Sequence, residues 1–267
     1  MSLPIIFLAC ANHFLKRKGK WISLSYLNQE IEELNKELQG LEQATPVKEG
    51  DDSEYAYELL TGGKFMENIA IFHLSGKLTN SDKIAFDAGD NVPIELSFEQ
   101  VGLLLKAFPR LCMVTLNGLA TKELVISLLN SGIPSILATT RATASEPKPQ
   151  ETVQKIYQAL GSGKSLQTAM DEVVGKEEAE EISTDQEGIQ YLSLGYQRED
   201  GELPWGLYFK DSFRKILERT LDAPDIITES EPQTQSKQFR FKNGKSMATW
   251  KILAIVVGVL MALIAFF

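Results

Sequence analysis

Histidine and cysteine are scarce in this sequence, which contains two of each in 267 residues. The two cysteines, Cys10 and Cys112, lie in apolar runs, where a thiol usually behaves as a small buried hydrophobic group. Two such cysteines imply no disulfide framework, which is consistent with a reducing compartment. Histidine, cysteine, aspartate and glutamate do not cluster at the spacing of metal ligands. The sequence therefore predicts neither a metal nor another cofactor.

Basic charge is also scarce. The chain has 27 Lys and Arg against 36 Asp and Glu, which gives a formal net charge of −9. Binding to nucleic acid depends on clustered cations that contact phosphates, and this balance does not supply them. We therefore expect no nucleic-acid partner.

Long apolar runs are absent from most of the chain but not from its C-terminal segment. Residues 252–267 (ILAIVVGVLMALIAFF) contain no polar side chain, and as a helix they would be about 24 Å long. With residues 247–251 the length approaches the bilayer hydrocarbon thickness of about 30 Å, and Trp250 and Lys251 suit the interface. The pattern predicts a transmembrane helix at 248–267. The alternative is a core helix of the folded domain, which would normally carry a polar stripe.

The residues before this segment predict its orientation and its link to the rest of the chain. Cations precede it at Arg240, Lys242, Lys245 and Lys251. By the positive-inside rule, we expect a single-pass membrane protein whose folded domain is cytoplasmic. Residues 222–247 are polar and lack apolar periodicity, so they are predicted to be a tether between the membrane helix and a domain at 1–221.

Within residues 1–221, apolar strand patterns alternate with amphipathic helix patterns. Strands are predicted at 3–9, 67–75, 112–117 and 135–140, and helices at 24–41, 97–109, 121–132, 151–160 and 165–174. Ser97 is predicted to be the N-cap of the helix at 97–109. A loop is predicted at 43–53, a hairpin around 84–87, an edge strand at 203–210 and a further helix at 211–221. This alternation predicts an α/β fold with a mainly parallel sheet and helices on both faces.

Three segments, taken in order, carry a family resemblance. They are IFHLSGKLTN at 71–80, MVTLNGLAT at 113–121 running on into ELVISLLNSGIPSILATTRATAS at 123–145, and ETVQKIYQALGSGKSLQTAMDEV at 151–173. Together they resemble the CHAT family of caspase-like cysteine proteases, in which one strand ends in a histidine motif, a later strand ends before the catalytic cysteine, and a helix pair follows. The resemblance covers residues 3–217 and implies a caspase-like three-layer sandwich with a mainly parallel central sheet.

The same resemblance implies that the family's chemistry is lost. The catalytic histidine of the family falls on Lys77 and its catalytic cysteine on Leu119, whereas His73 matches an earlier, non-catalytic histidine. Such a protease needs a thiolate and an imidazole at the carboxyl ends of adjacent parallel strands. Leucine has no nucleophilic atom, and a lysine at its ordinary pKa of about 10.4 stays protonated. We therefore expect a pseudoprotease.

A candidate cleft is expected at the carboxyl ends of the predicted parallel strands. Its candidate residues are Cys10, His13, His73, Ser75, Gly76 and Asn117. One alternative is a relocated dyad in which Cys10 pairs with His73 or His13. The other is a buried cysteine and two histidines without a catalytic role. Ser75 and Thr79 are expected to lack a base.

Three hypotheses of function follow. The leading one is a membrane-anchored pseudoprotease that binds a protein partner or associates with itself, and the CHAT resemblance implies a bacterial defence or signalling system. The second makes the tail helix the effector, because Gly258 and Ala262 form a pair of small residues that permits close helix contact. Association of the soluble domains would then cluster the tails and disrupt the bilayer. The third is a cysteine peptidase that uses Cys10.

Overall fold

The computed structural model describes residues 3–11, 14–17, 20–23, 25–48, 67–76, 83–87, 93–139, 149–175, 180–181, 188–194 and 205–221. The chain divides into two compact units, 1–226 and 227–267, and every described residue belongs to the first. The domain boundary near 221 and the tether stay predictions. The predicted tail helix, with Trp250, Lys251, Gly258 and Ala262, lies outside the described residues. Among the helices that are described, none is long and apolar enough to cross a membrane.

Strands and helices alternate along the described chain. The strands are β1 (Ile5–Ala11), β2 (Phe14–Arg17), β3 (Lys20–Ser23), β4 (Thr45–Lys48), β5 (Ile69–Gly76), β6 (Lys83–Asp87), β7 (Pro93–Ser97), β8 (Met113–Asn117), β9 (Ser135–Thr139), β10 (Glu180–Glu181), β11 (Ile189–Ser193) and β12 (Gly206–Lys210). The helices are α1 (Ser25–Glu37), α2 (Phe98–Leu105), α3 (Lys122–Asn130), α4 (Pro149–Gly161) and α5 (Leu166–Val174), followed by a 3₁₀ helix, Asp211–Glu218.

The central sheet has eight strands in the order β10-β11-β12-β9-β8-β5-β1-β4. The neighbours from β9 to β4 are parallel, and β10, β11 and β12 add antiparallel pairs at the other end. The fold is thus α/β with a mostly parallel central sheet. The four strands predicted from apolar runs, β1, β5, β8 and β9, are neighbours within it. Two separate ribbons, β2–β3 and β6–β7, lie outside this sheet.

Apolar cores cover both faces of the sheet. On one face, α2 and α3 pack on side chains such as Phe72 and Leu116. On the other, α1, α4, α5 and the 3₁₀ helix pack on side chains such as Leu8 and Ile71. Strands β5, β8 and β9 are buried along their whole length, which explains why they are apolar runs rather than alternating patterns.

Side-chain caps begin three of the helices at positions that the sequence specifies. Ser97 accepts a hydrogen bond from Gln100 N at 3.2 Å, and Gln100 Oε1 accepts one from Ser97 N at 2.8 Å, which is a capping box. Thr121 caps α3 by accepting from Leu124 N, and Ser165 caps α5. The predicted cap at Ser97 is confirmed. These caps satisfy backbone donors that the first helical turn leaves unpaired.

One sequence prediction about local structure is wrong, and two others identify the element but not its position or type. The predicted loop at 43–53 contains β4, because Thr45 N donates to Pro4 O at 2.9 Å and the segment then pairs in register with β1. The predicted edge strand at 203–210 is β12, but it is not at an edge. It lies between β11 and β9, and residues 206–209 are buried there. The predicted helix at 211–221 is a shorter 3₁₀ helix.

Candidate functional site

Strand register brings four polar side chains together on one face of the sheet. Strand β5 pairs with β8 so that His73 lies beside Thr115 and Ser75 beside Asn117. Because alternate residues of a strand point to opposite faces, these four side chains share the face covered by α1 and α4. All four are buried, and Ser75 and Asn117 lie toward the carboxyl ends of their strands.

One end of this polar cluster is completed by helix α4. The hydroxyl of Tyr157 donates to Thr115 Oγ1 at 2.7 Å and lies 2.9 Å from His73 Nδ1. The His73 and Tyr157 rings meet edge to face, with centroids 5.8 Å apart. Tyr157 is itself fully buried, so its hydroxyl depends on these partners for hydrogen bonding.

The other end of the cluster is completed by helix α1. The carboxylate atom Glu30 Oε1 accepts hydrogen bonds from Ser75 Oγ and from Asn117 Nδ2, both at 2.5 Å. Asn117 Nδ2 additionally contacts Ser75 Oγ at 3.1 Å, and Ser75 Oγ lies 3.1 Å from His73 Nε2. Glu30 is partly exposed, so the cluster extends from the buried strands to a residue near the surface.

Strand β9 fixes the orientation of the Asn117 amide. Thr139 Oγ1 donates to Asn117 Oδ1 at 2.7 Å, which leaves the amide nitrogen directed at Glu30 and Ser75. The next residue, Gly118, turns the chain with a φ of +77°, and a Cβ there would lie 2.9 Å from the carbonyl oxygen of Gly76. Glycine is therefore required at this turn.

Burial determines the acid–base properties of the cluster. Desolvation lowers the pKa of His73 to about 3 and raises the pKa of Tyr157 above its ordinary value. Desolvation also raises the pKa of Glu30, with a smaller contribution in the same direction from Glu33. The hydrogen bonds from Ser75 and Asn117 oppose that rise. His73 is therefore a neutral imidazole near neutral pH.

His73 Nε2 lies 3.1 Å from the hydroxyl of Ser75, so the structure places an imidazole beside this serine. The sequence motif places them two residues apart on one strand, so both point to the same face. Neither side chain has any solvent-exposed surface, and an imidazole with a pKa of about 3 is a weak base. The pair is placed for hydrogen bonding inside the protein rather than for attack on a substrate.

The structure does not bring Cys10 and His73 together as a dyad. Cys10 is buried at the end of β1 and lies in register with Ser75. The two ring nitrogens of His73 face Tyr157 and Ser75 instead. Cys112 precedes β8 at the opposite end of the strand, where its Sγ donates to Ala70 O at 3.0 Å and burial raises its pKa to about 12. Such a thiol is not activated.

Among the remaining sequence candidates, two are described and three are not. Leu119 is 2% exposed and belongs to the apolar core on the α2 and α3 face. Gly76 is buried at the end of β5. Lys77, His13 and Thr79 lie outside the described residues. In the described ranges, no group of three or more His, Cys, Asp and Glu is arranged to hold a metal ion.

Four members of the cluster were not predicted from the sequence: Glu30, Thr115, Thr139 and Tyr157. Thr115 and Thr139 did carry a signal, because each is a polar residue in a strand that is buried along its whole length. Glu30 and Tyr157 lie on helices far from the strands in sequence, and their patterns are those of ordinary amphipathic helices. Only the packing of α1 and α4 on the sheet identifies them.

The comparisons with known proteins are sparse. No protein-family model matches the chain, and no curated protein matches its sequence. Among solved structures, the chain is similar to the crystal structure of the Drosophila initiator caspase Dronc, with a TM-score of 0.35 and 10% sequence identity. That similarity covers 78% of this chain and 79% of the caspase chain. No residue role is transferred from it.

Proposed function

We propose that this chain is a catalytically inactive, CHAT-like pseudoprotease that acts by binding another protein or a second copy of itself. Its C-terminal segment would tether it to a membrane, with the folded domain on the cytoplasmic side. The carrying observation is that the polar side chains at the carboxyl ends of β5 and β8 bond to one another within the protein. His73 has no exposed surface, and both of its ring nitrogens have partners.

The position that the family resemblance assigns to the nucleophile supports the same proposal. Leu119 occupies it, and this side chain packs in the apolar core. Peptide hydrolysis of the cysteine-protease type needs a thiolate that is accessible to substrate. The described thiols do not meet that need, since Cys10 is buried and Cys112 has a raised pKa.

The edges of the central sheet bear on how the domain would associate. At one edge, the backbone N–H of Thr45 donates to the carbonyl oxygen of Pro4, on the side of β4 that faces β1. The next backbone nitrogen of β4 lies on the outer side and belongs to Pro46, which has no hydrogen to donate. At the other edge, the described part of the chain gives β10 two residues, Glu180 and Glu181. Short, charged or proline-containing edges disfavour strand addition. Association is therefore proposed through the helical layers or the loops at the carboxyl end.

A peptidase assay tests the proposal that the protein is catalytically inactive. The full-length protein is incubated with a fluorogenic peptide library, with an active caspase as the positive control and Cys10→Ala as the matched variant. We expect no turnover above buffer by either form. Turnover by the wild type that Cys10→Ala abolishes would overturn the proposal in favour of the relocated cysteine peptidase.

Fractionation and crosslinking test the proposed membrane tether and the proposed self-association. Full-length protein is expected in the membrane fraction and protein lacking residues 248–267 in the soluble fraction. Crosslinking of the full-length protein in detergent over a range of concentrations then measures self-association. Release of dye from liposomes by the full-length protein alone would favour the membrane-disrupting alternative over a passive anchor.

A further inference from the structure

The last residue of β8 and the residue after it form an Asn–Gly pair, Asn117–Gly118. This dipeptide is chemically reactive, because glycine has no side chain to hinder attack by its backbone nitrogen on the preceding amide. In that reaction the nitrogen of Gly118 bonds to Cγ of Asn117, and the side-chain nitrogen leaves as ammonia with the proton of the Gly118 N–H. Water then opens the resulting succinimide ring to aspartate or isoaspartate. The net reaction consumes one molecule of water and releases one of ammonia.

The fold holds both reacting groups in hydrogen bonds. The N–H of Gly118 donates to the carbonyl oxygen of Thr139 at 3.1 Å and to its hydroxyl oxygen at 3.3 Å. The amide nitrogen of Asn117 donates to Glu30 Oε1 at 2.5 Å and to Ser75 Oγ at 3.1 Å. The amide oxygen of Asn117 accepts from Thr139 Oγ1 at 2.7 Å. Succinimide formation requires the amide to rotate toward the nitrogen of Gly118, so these contacts must break first.

The backbone around Asn117 is confined as well. Asn117 is 5% exposed and pairs on both sides within the sheet, with Ser75 of β5 and Thr139 of β9. The turn that follows is tight, because a Cβ on Gly118 would lie 2.9 Å from the carbonyl oxygen of Gly76. Reaction therefore needs an opened state in which α1 and β9 have released the amide, and the population of that state determines the rate.

We propose that Asn117 is a deamidation site that contacts from α1 and β9 suppress in the folded domain, and that its reaction is a one-way change. In aspartate at position 117, an oxygen replaces the amide nitrogen that lies 2.5 Å from Glu30 Oε1. Two carboxylates cannot share such a contact while both are ionised. Isoaspartate instead adds a backbone atom at a turn that has no room for a Cβ. Either product prevents the opened chain from closing again with its former stability.

Peptide mass spectrometry of the full-length protein in detergent micelles tests the suppression. The protein and a synthetic peptide of residues 113–121 are aged in the same mildly alkaline buffer. The readout is the digest peptide that contains residue 117, because the sequence has a second Asn–Gly pair at 243–244. We expect aspartate and isoaspartate at 117 to form at least about tenfold more slowly in the protein than in the synthetic peptide. Equal rates would overturn the proposal.

Two variants on β9 separate local opening from a general loss of stability. Thr139→Val removes the hydroxyl that bonds to the amide of Asn117, and we expect faster deamidation at 117 than in the wild type. Ser135→Ala removes a hydroxyl from the other end of the strand, where it donates to Cys112 O at 2.8 Å, and should leave the rate near the wild-type value. Equal acceleration by both variants, or none by Thr139→Val, would contradict control by the contacts on Asn117.

A second pair of variants repeats this test from α1 if Thr139→Val does not fold. Glu30→Ala removes the acceptor of the Asn117 amide nitrogen at a partly exposed position, so deamidation at 117 should accelerate. Glu33→Ala removes an exposed carboxylate from the same helix and should not change the rate. A Glu30→Ala protein that deamidates at the wild-type rate would mean that α1 does not protect the site.

The product itself is tested by Asn117→Asp. Near neutral pH this variant should unfold at a lower urea concentration than the wild type and also than Asn117→Ala. The alanine variant is the matched control, because it loses the same hydrogen bonds without placing a second carboxylate beside Glu30. If Asn117→Asp fails to fold while Asn117→Ala folds, the one-way change is supported. An Asn117→Asp protein as stable as Asn117→Ala would overturn it.

Discussion

The two faces of the central sheet are built from the same strands, but the side chains buried on them differ in polarity. On the face covered by α2 and α3, the inward residues of β5 and β8 are apolar, such as Phe72, Leu74, Val114 and Leu116. On the face covered by α1 and α4, the same two strands present the polar residues His73, Ser75, Thr115 and Asn117. One face requires complementary shape, whereas the other also requires that each polar atom finds a partner.

This difference explains why α1 and α4 each direct a polar group at the sheet. A buried polar group without a partner costs about 1–3 kcal/mol, and His73 alone presents two nitrogens that need partners. Tyr157 and Ser75 meet that need, and Glu30 meets the need of Ser75 and Asn117. The polar face is therefore sensitive to pH and to removal of single atoms, whereas the apolar face is sensitive to removal of volume.

Acid should act on the polar face with the largest effect. The pKa of His73 is about 3 in the folded protein against an ordinary 6.5, so between these values the unfolded chain binds the proton first. The stability that His73 contributes is complete above pH 6.5 and is lost as pH falls toward 3, by about 5 kcal/mol over the whole range. Urea unfolding at a series of pH values measures this slope.

A His73→Gln variant is the control for that slope. It should be less stable than the wild type near neutral pH, and the difference should shrink as pH falls from 6.5. The raised pKa of Glu30 acts in the opposite direction, because its stabilising protonated form is lost as pH rises through the folded pKa. A difference between wild type and His73→Gln that does not change with pH would contradict a neutral buried His73.

Removing volume should have the next largest effect, and on the opposite face. Phe72 is fully buried between Phe7 and Phe108, with ring centroids 5.3 and 6.1 Å away. Phe72→Ala should cost about 3–5 kcal/mol, independently of pH, because it leaves a cavity. Chemical denaturation of this variant and of Leu103→Ala tests the point, since Leu103 is 60% exposed on α2 and its loss should cost under about 0.5 kcal/mol. Equal losses would mean that the assigned core is wrong.

Removing a single oxygen atom from the polar face should have a smaller effect than removing the Phe72 ring. Tyr157→Phe keeps the ring but leaves Thr115 without its donor and His73 Nδ1 without its partner, at a cost of about 1–3 kcal/mol. Combining it with Thr115→Val should cost less than the sum of the single changes, because one orphaned atom is removed as well. Thermal or urea unfolding of the four proteins gives the coupling energy. Strict additivity would contradict the contact.

How much of this architecture could be predicted from the sequence depends on how local its causes are. Strands β1, β5, β8 and β9 were predicted because each is a buried apolar run, and Ser97 because its capping partner is three residues away. Strand β4 was missed because TPVK is short, contains proline and has no pattern of its own. Strand β4 forms because this segment pairs with β1.

The candidate site shows the same limit. His73, Ser75 and Asn117 were predicted to lie together because parallel strands end at one edge of a sheet. Glu30 and Tyr157 were not, since Tyr157 is 84 residues from His73 and Glu30 is 87 residues from Asn117. No local pattern fixes such pairs. The contact between His73 and Ser75 is different, because two-residue spacing on a strand already places these side chains on one face.

The smallest expected effect concerns the helix cap at Thr121, on the apolar face. Its side chain accepts a hydrogen bond from Leu124 N at 3.1 Å and satisfies one of the donors that the first turn of α3 leaves unpaired. Thr121→Ala should therefore cost about 1 kcal/mol, while Thr121→Ser, which keeps the oxygen, should cost a fraction of that. Because the cap involves no group that titrates near neutrality, the loss should be the same at mildly acidic and mildly alkaline pH. Urea unfolding of both variants at the two pH values measures it. A loss that changes with pH would mean that the polar cluster is coupled through the sheet to α3, and the contrast between the two faces would then have to be abandoned.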